Sequence, residues 1–163
     1  MIILGLDPGL QKTGWGIIKS EGHALKFVSC GLVQTNPADS LAKRLAHLHQ
    51  EILSVLNLYK PDQAAVEETF VNKNPASALK LGQARGVVLA TPAIYGLDVA
   101  EYAANTVKKS VVGSGHAEKQ QIGAMIRMLL PGCGQIGVDE ADALAVAITH
   151  AHYGSWNSKF AKA

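Results

Sequence analysis

Cysteine is almost absent from this sequence: Cys30 and Cys133 are the only two, far apart and outside any ligand spacing. That excludes a disulfide framework and a thiolate metal centre, and both are read as reduced thiols. Long apolar runs are missing too. Nothing approaches the roughly 20 residues that a membrane-spanning helix needs. The first residues enter a strand pattern with no basic leader, so a cytoplasmic protein is expected. No internal repeat, low-complexity segment or linker interrupts the chain, and 163 residues is one domain's worth. What the chain does have is core: 48% of its residues are hydrophobic and 17% charged, the balance of a packed globule.

Strong net charge is also lacking, and the overall +2 excludes little until it is divided along the chain. Residues 1–68 hold six Lys/Arg against seven Asp/Glu, residues 69–138 seven against three, and residues 139–163 two against three. The basic excess therefore lies in the middle, as Lys73, Lys80, Arg85, Lys108, Lys109, Lys119 and Arg127. Two readings stand, a solvated surface or a track for a polyanion.

Periodicity orders the elements. Residues 2–7, about 14–19 and about 25–34 read as strands, the first two joined by a short Gly-bearing hairpin turn. Asp39 or Ser40 caps a helix with apolar residues Leu41, Leu45, Leu48, Ile52 and Leu56, closed by Pro61. A fourth strand, "DQAAVEETF", precedes a helix over residues 75–91 that Asn74-Pro75 opens and Pro92 should kink or end. "DVAEYA" is a fifth strand, "EKQQIGAMIRMLL" a helix, and "DEADALAVAITHAHY" the last helix. This order describes an α/β domain over residues 1–157, a five-stranded mixed sheet with helices on both faces, followed by a frayed tail over 158–163.

In such sheets the functional crevice lies beyond the carboxyl ends of the parallel strands. Asp7 ends strand one, and Glu67 and Glu68 end strand four. A carboxylate closing a buried strand costs several kcal/mol unless something compensates it. Asp139 and Asp142 open the last helix three residues apart, which is ordinary capping chemistry if taken alone. The small-residue stripe of Ala141, Leu144, Ala145 and Ile148 brings that helix start close against the sheet, however. Carboxylates converging from three elements cannot all ionise unaided, and two divalent cations would neutralise them, as a two-metal phosphoryl-transfer site requires. Gly9 and Gly14 are expected to let chain and substrate approach closely.

The segments "LGLDPGLQKTGWG", "AVEETFVNKNPASALKLGQARG", "EYAANTVKKSVVGSGHAEKQQI" and "DEADALAVAITHAH" resemble the signature blocks of the RuvC family, bacterial Holliday-junction resolvases of the ribonuclease H-like superfamily. The resemblance implies a ribonuclease H-like fold and metal-binding, catalytic acids at Asp7, Glu67, Asp139 and Asp142. The residues alone leave Glu67 and Glu68 open; the family's pattern of an acid, two residues and Phe fits Glu67 with Phe70. It implies two Mg²⁺ per subunit, with Mn²⁺ able to substitute. Hydrolysis of a phosphodiester would leave 5′-phosphate and 3′-hydroxyl ends, and paired nicks would resolve four-way junctions in recombination and repair.

The resemblance also places Lys108 and Lys119, with neighbouring Lys109, near the cleaved strand, and Lys73, Lys80 and Arg85 near a dimer centre. Phe70 would push against bases at the exchange point, or else close a strand as a core Phe. Partners implied are four-way junction DNA, a second copy of the chain, and the branch-migration proteins RuvA and RuvB. The helix over 75–91 fits the dimer, since Leu79, Leu81, Ala84, Val87, Val88 and Leu89 cover too much of its circumference for one core face, with Gly82 and Gly86 four apart. Two other readings are a YqgF-like RNA nuclease of the same superfamily and an actin-like ATP-binding module, whose phosphate hairpin "LDPGLQKTG" also resembles.

Overall fold

The structure, a computed structural model, describes residues 1–68, 74–115 and 118–160, with the side chains of Lys119 and residues 155–160 left outside the description. The elements run β1 (Ile2–Asp7), β2 (Lys12–Glu21), β3 (Ala24–Gln34), α1 (Leu41–Tyr59), β4 (Gln63–Glu68), α2 (Pro75–Tyr95), β5 (Val99–Ala103), α3 (Ala104–Val112), α4 (Lys119–Leu129) and α5 (Val138–Phe160). They build one mixed sheet in the order β3-β2-β1-β4-β5. β1, β2 and β3 pair antiparallel, while β1, β4 and β5 pair parallel. The five-stranded sheet flanked on both faces is the one expected.

Two apolar layers sandwich the sheet, because alternate residues of each strand face opposite sides. Leu4, Leu6, Ala64 and Val66 pack with Leu48, Ile52 and Leu56 of α1 and Ala84 and Val88 of α2. Ile3, Ile18 and Ala65 pack with Val107 and Val111 of α3, Ile122 and Ile126 of α4, and Leu144 and Ile148 of α5. Ser40, not Asp39, caps α1, its side chain accepting from the Lys43 N–H. No helix of the described residues is long and apolar enough to cross a membrane.

Two helices depart from the sequence reading. α2 does not end at Pro92 but runs one turn further to Tyr95 and closes on Gly96 at φ 102°. Proline in the last turn forfeits one backbone bond, and side chains around it supply others: Thr91 Oγ1 lies 2.9 Å from His49 Nδ1, and Tyr95 Oη donates to the Leu56 carbonyl at 3.3 Å. α5 stays helical to Phe160, into the segment expected to fray. Well along α5, the buried His150 joins a polar chain: Tyr102 Oη is 2.9 Å from its Nδ1, and Gln63 Oε1 is 2.9 Å from its Nε2. Burial pushes the His150 imidazole below its ordinary pKa, favouring the neutral ring that such a chain needs.

Candidate active site

The site is assembled where β1 and β4 end side by side. Parallel pairing aligns Leu6 with Val66, and one residue further stand Asp7 and Glu67. Because Ile3 and Ala65 face the α5 layer, strand alternation puts Asp7 and Glu67 on that face as well. Glu68, in phase with Ala64 and Val66, belongs to the opposite face. Of the two glutamates that the residues alone leave open, the pleat thus puts Glu67 on the face of α5 and Glu68 on the other.

The third acid arrives on α5, and three glycines decide how close it comes. Gly5 pairs with Gly16, and Asp7 with Gly14, so the three glycines form one trench across β1 and β2. A Cβ at Gly5 would strike the Ala143 carbonyl oxygen, one at Gly14 the Asp139 carbonyl oxygen, and one at Gly16 would stand 2.7 Å from the Leu144 side chain. α5 therefore lies almost on the strand backbones, and Asp142 reaches the strand ends. Asp7, Glu67 and Asp142 line one cavity of about 370 Å³, with Pro8, Lys108 of α3 and Ile122 of α4 among its other walls.

Asp139 is not on that wall; its backbone is what rests against Gly14. The space that Gly9 and Gly14 create is filled by the protein's own chain, the Lys12 and Asp139 carbonyls, which is the close approach of chain expected there. All three acids offer hard oxygen donors on one cleft, a chemistry suited to Mg²⁺ or Mn²⁺. Among the described residues, no group of three or more Asp, Glu, His or Cys side chains forms a ready-made cation cage. The donors match such ions in kind, then, and they line an open cleft.

The turn after Asp7 is braced from three sides. Thr13, wholly buried, donates from Oγ1 to the Gly9 carbonyl at 2.7 Å and accepts from the Gly9 N–H at 3.2 Å. Thr35 Oγ1 donates to the Leu10 carbonyl at 2.5 Å, while Arg44 donates from Nε to Thr35 Oγ1 at 2.9 Å and from Nη2 to the same carbonyl at 3.4 Å. These bonds tie the hairpin to β3 and α1. Sequence reasoning missed them, since a lone Arg on an amphipathic helix reads as solvated surface.

It also missed α3, the helix that delivers Lys108. Val107 and Val111 do carry helical spacing, and Gly113 stops the helix at φ 81°. The signal is weakened by β-branched residues and by Ala103, which caps without a side-chain bond. Of the other basic residues, Lys80 and Lys109 are exposed on α2 and α3, whereas Arg85 is ion-paired with Glu101 of β5. Phe70, Lys73 and the Lys119 side chain lie outside the described residues.

The chain was compared with known proteins. A family model described as Crossover junction endodeoxyribonuclease RuvC matches residues 3–150. The protein of that description from Paramagnetospirillum magneticum is 57% identical over 163 residues, covering 100% of this chain and 98% of its own. Its counterpart from Xanthobacter autotrophicus is 60% identical over 151 residues, covering 93% and 89%. Among solved structures, Thermus thermophilus RuvC in complex with Holliday junction substrate superimposes with a TM-score of 0.87 at 32% identity, covering 96% of each chain. The match decides among the three readings of the sequence and makes the sheet a ribonuclease H-like one. The chain belongs to the RuvC family of crossover junction endodeoxyribonucleases.

Proposed function

We propose that this enzyme resolves four-way (Holliday) junctions by paired symmetric nicks, hydrolysing one phosphodiester in each of two strands of like polarity. The observation that carries the reading is the cleft in which carboxylates from β1, β4 and α5 face one another with Lys108 beside them. Asp7, Glu67 and Asp142 are assigned to two divalent ions, Mg²⁺ with Mn²⁺ as substitute, and Asp139 to the same set as a ligand or supporting acid. The chemistry such ions supply when bound is activation of water and neutralisation of charge at the leaving 3′ oxygen, which leaves a 5′ phosphate. The chain's own part is to hold its acids on two strand ends and a seated helix, so that little reorganisation is needed at reaction. Lys108 would hold a phosphate of the strand in the cleft.

Lys80, Arg85 and Lys109, with Phe70, Lys73 and Lys119, form the proposed DNA track, in which phosphate contacts position the junction without reading its bases. Arg85 would then serve while paired with Glu101. We take residues 1–157 as a single nuclease domain acting on chromosomal DNA in the cytoplasm, with RuvA and RuvB as partners on family resemblance alone. The test is incubation with Mg²⁺ and a synthetic four-way junction, structured RNA or ATP, with products mapped to the nucleotide. Paired cuts on the junction that stop when the metal is chelated are expected. Turnover of RNA or ATP in preference to the junction would overturn the reading.

A homodimer completes it, because two nicks need two sites. α2 supports this: Leu79 is 65% exposed, Ile94 is 80% exposed, and a Cβ at Gly82 or Gly86 would meet nothing within 4 Å. Among the described residues of one chain, then, those glycines have no packing role, though each costs a helix about 1 kcal/mol relative to Ala. Close approach of a second α2 would account for them. Gly86→Leu is expected to keep the fold and to sediment as a monomer where the wild type sediments as a dimer. Equal sedimentation of the two would remove α2 from the interface.

A further inference from the structure

The geometry points to a second nucleotide subsite beside the catalytic cleft, in which Arg127 holds the phosphate next to the one being cut. It rests on the nuclease reading above and names where the cleaved strand continues. A cavity of about 440 Å³ opens between α4 and the start of α5, and Asp142 lines both it and the catalytic cavity. A strand whose scissile phosphate lies on one side of Asp142 must place a neighbouring nucleotide within reach of the other side.

The walls suit a nucleotide. Gln120, Gly123 and Arg127 present one face of α4 at successive helical turns, and Ile136 and Val138 lie opposite as an apolar wall. The volume falls in the range of about 300 to 1,000 Å³ usual for small-ligand pockets. Arg127 reaches back along its helix, its Nη1 only 3.7 Å from where a Cβ on Gly123 would stand. No ion pair found among the described residues uses it. Among the described residues it is the one basic side chain on this wall, whereas Asp142 lines it too and the Glu140 carboxylate folds back against Gly137 beside it. Two acids so near would repel a phosphate, and a guanidinium is the group that offsets them at close range, with a fork that matches phosphate oxygens.

Junctions carrying a single neutral methylphosphonate, moved one phosphate at a time along the cleaved strand, test this. Wild-type cleavage is expected to fall about tenfold when the phosphate on Arg127 is neutralised, the worth of one charge-assisted contact. Arg127→Gln, which keeps the stem, should cut about tenfold more slowly on the unmodified junction and lose no more at that one position. Gly123→Leu fills the pocket while keeping the charge and favours the helix, so it should show the same position-specific insensitivity with an unfolding midpoint at or above wild type. A wild type that fails to cut would overturn the nuclease reading and the subsite with it. A wild type that cuts, with both variants responding like it at every position, would overturn the subsite alone. So would a loss in the variants spread evenly over all phosphates.

Discussion

Asp7→Asn is expected to lower junction cleavage in Mg²⁺ by about 10³-fold or more while leaving junction binding within a few-fold of wild type. The substitution keeps size and hydrogen-bonding capacity and removes one unit of ligand charge at the end of β1. Charge stabilisation of several kcal/mol is at stake in such sites, and each tenfold in rate corresponds to about 1.4 kcal/mol. Binding should survive because it rests on the basic surface rather than on the acids. Lys108→Ala supplies the contrast on the same cavity wall. Its loss should weaken binding, with a salt slope shallower by about one unit for the one phosphate contact removed. Gel-shift titrations over a salt series, run beside single-turnover cleavage, separate the two. An Asp7→Asn protein cutting at near wild-type rate would refute the role given to that acid.

Gly5→Ala is expected to be nearly as damaging, although it adds only one methyl group, and that beneath α5. The new Cβ would meet the Ala143 carbonyl oxygen and stand 2.6 Å from the Ala147 nitrogen, both backbone atoms. No rotamer change relieves a clash with backbone, so α5 as a whole must rise or tilt. Overpacking of this kind costs roughly 1 to 3 kcal/mol, which in a chain of this size lowers Tm by roughly 2 to 12 °C. Activity should fall further than stability, since a displacement of about 1 Å at a catalytic group can cost about 10²-fold. Calorimetry and cleavage at a temperature where the variant is folded would show this. Wild-type values in both would mean that the trench is not what positions Asp142.

Most of the architecture was legible because period and punctuation agreed. The strands of the hairpin, the capped α1 and the apolar stripe of the last helix each carried two independent signals. α3 was not legible, because its β-branched, uncapped sequence gives a weak helical pattern that only packing against α5 decides. Pro92 misled for the opposite reason: a strong local rule was overridden by bonds from α1 that no local window contains. In the site, Asp7 stood out as an acid closing a buried strand, and the family's pattern of an acid, two residues and Phe pointed to Glu67; that Glu67 and not Glu68 shares a face with α5 needed the pleat's phase. The role of Gly14 was half legible. A close approach of chain was foreseen, but not that the last helix supplies it through the Asp139 carbonyl.

The seating of α5 has a mechanical consequence. Its first turns are sunk among Gly5, Gly14 and Gly16, and further along His150 is pinned between Tyr102 and Gln63. A helix held at two such points can neither screw nor slide without breaking one of them, so sheet and α5 behave as an anvil. α3 and α4 pack against that anvil on the same side of the sheet, Val107, Val111, Ile122 and Ile126 sharing the core of α5 and Ser110 Oγ lying 3.0 Å from His152 Nδ1. The acids all sit on the anvil, while Lys108 and Arg127 stand on the two helices packed against it. In the mechanism proposed above, the spacing of the three acids would therefore stay the same from one substrate to the next.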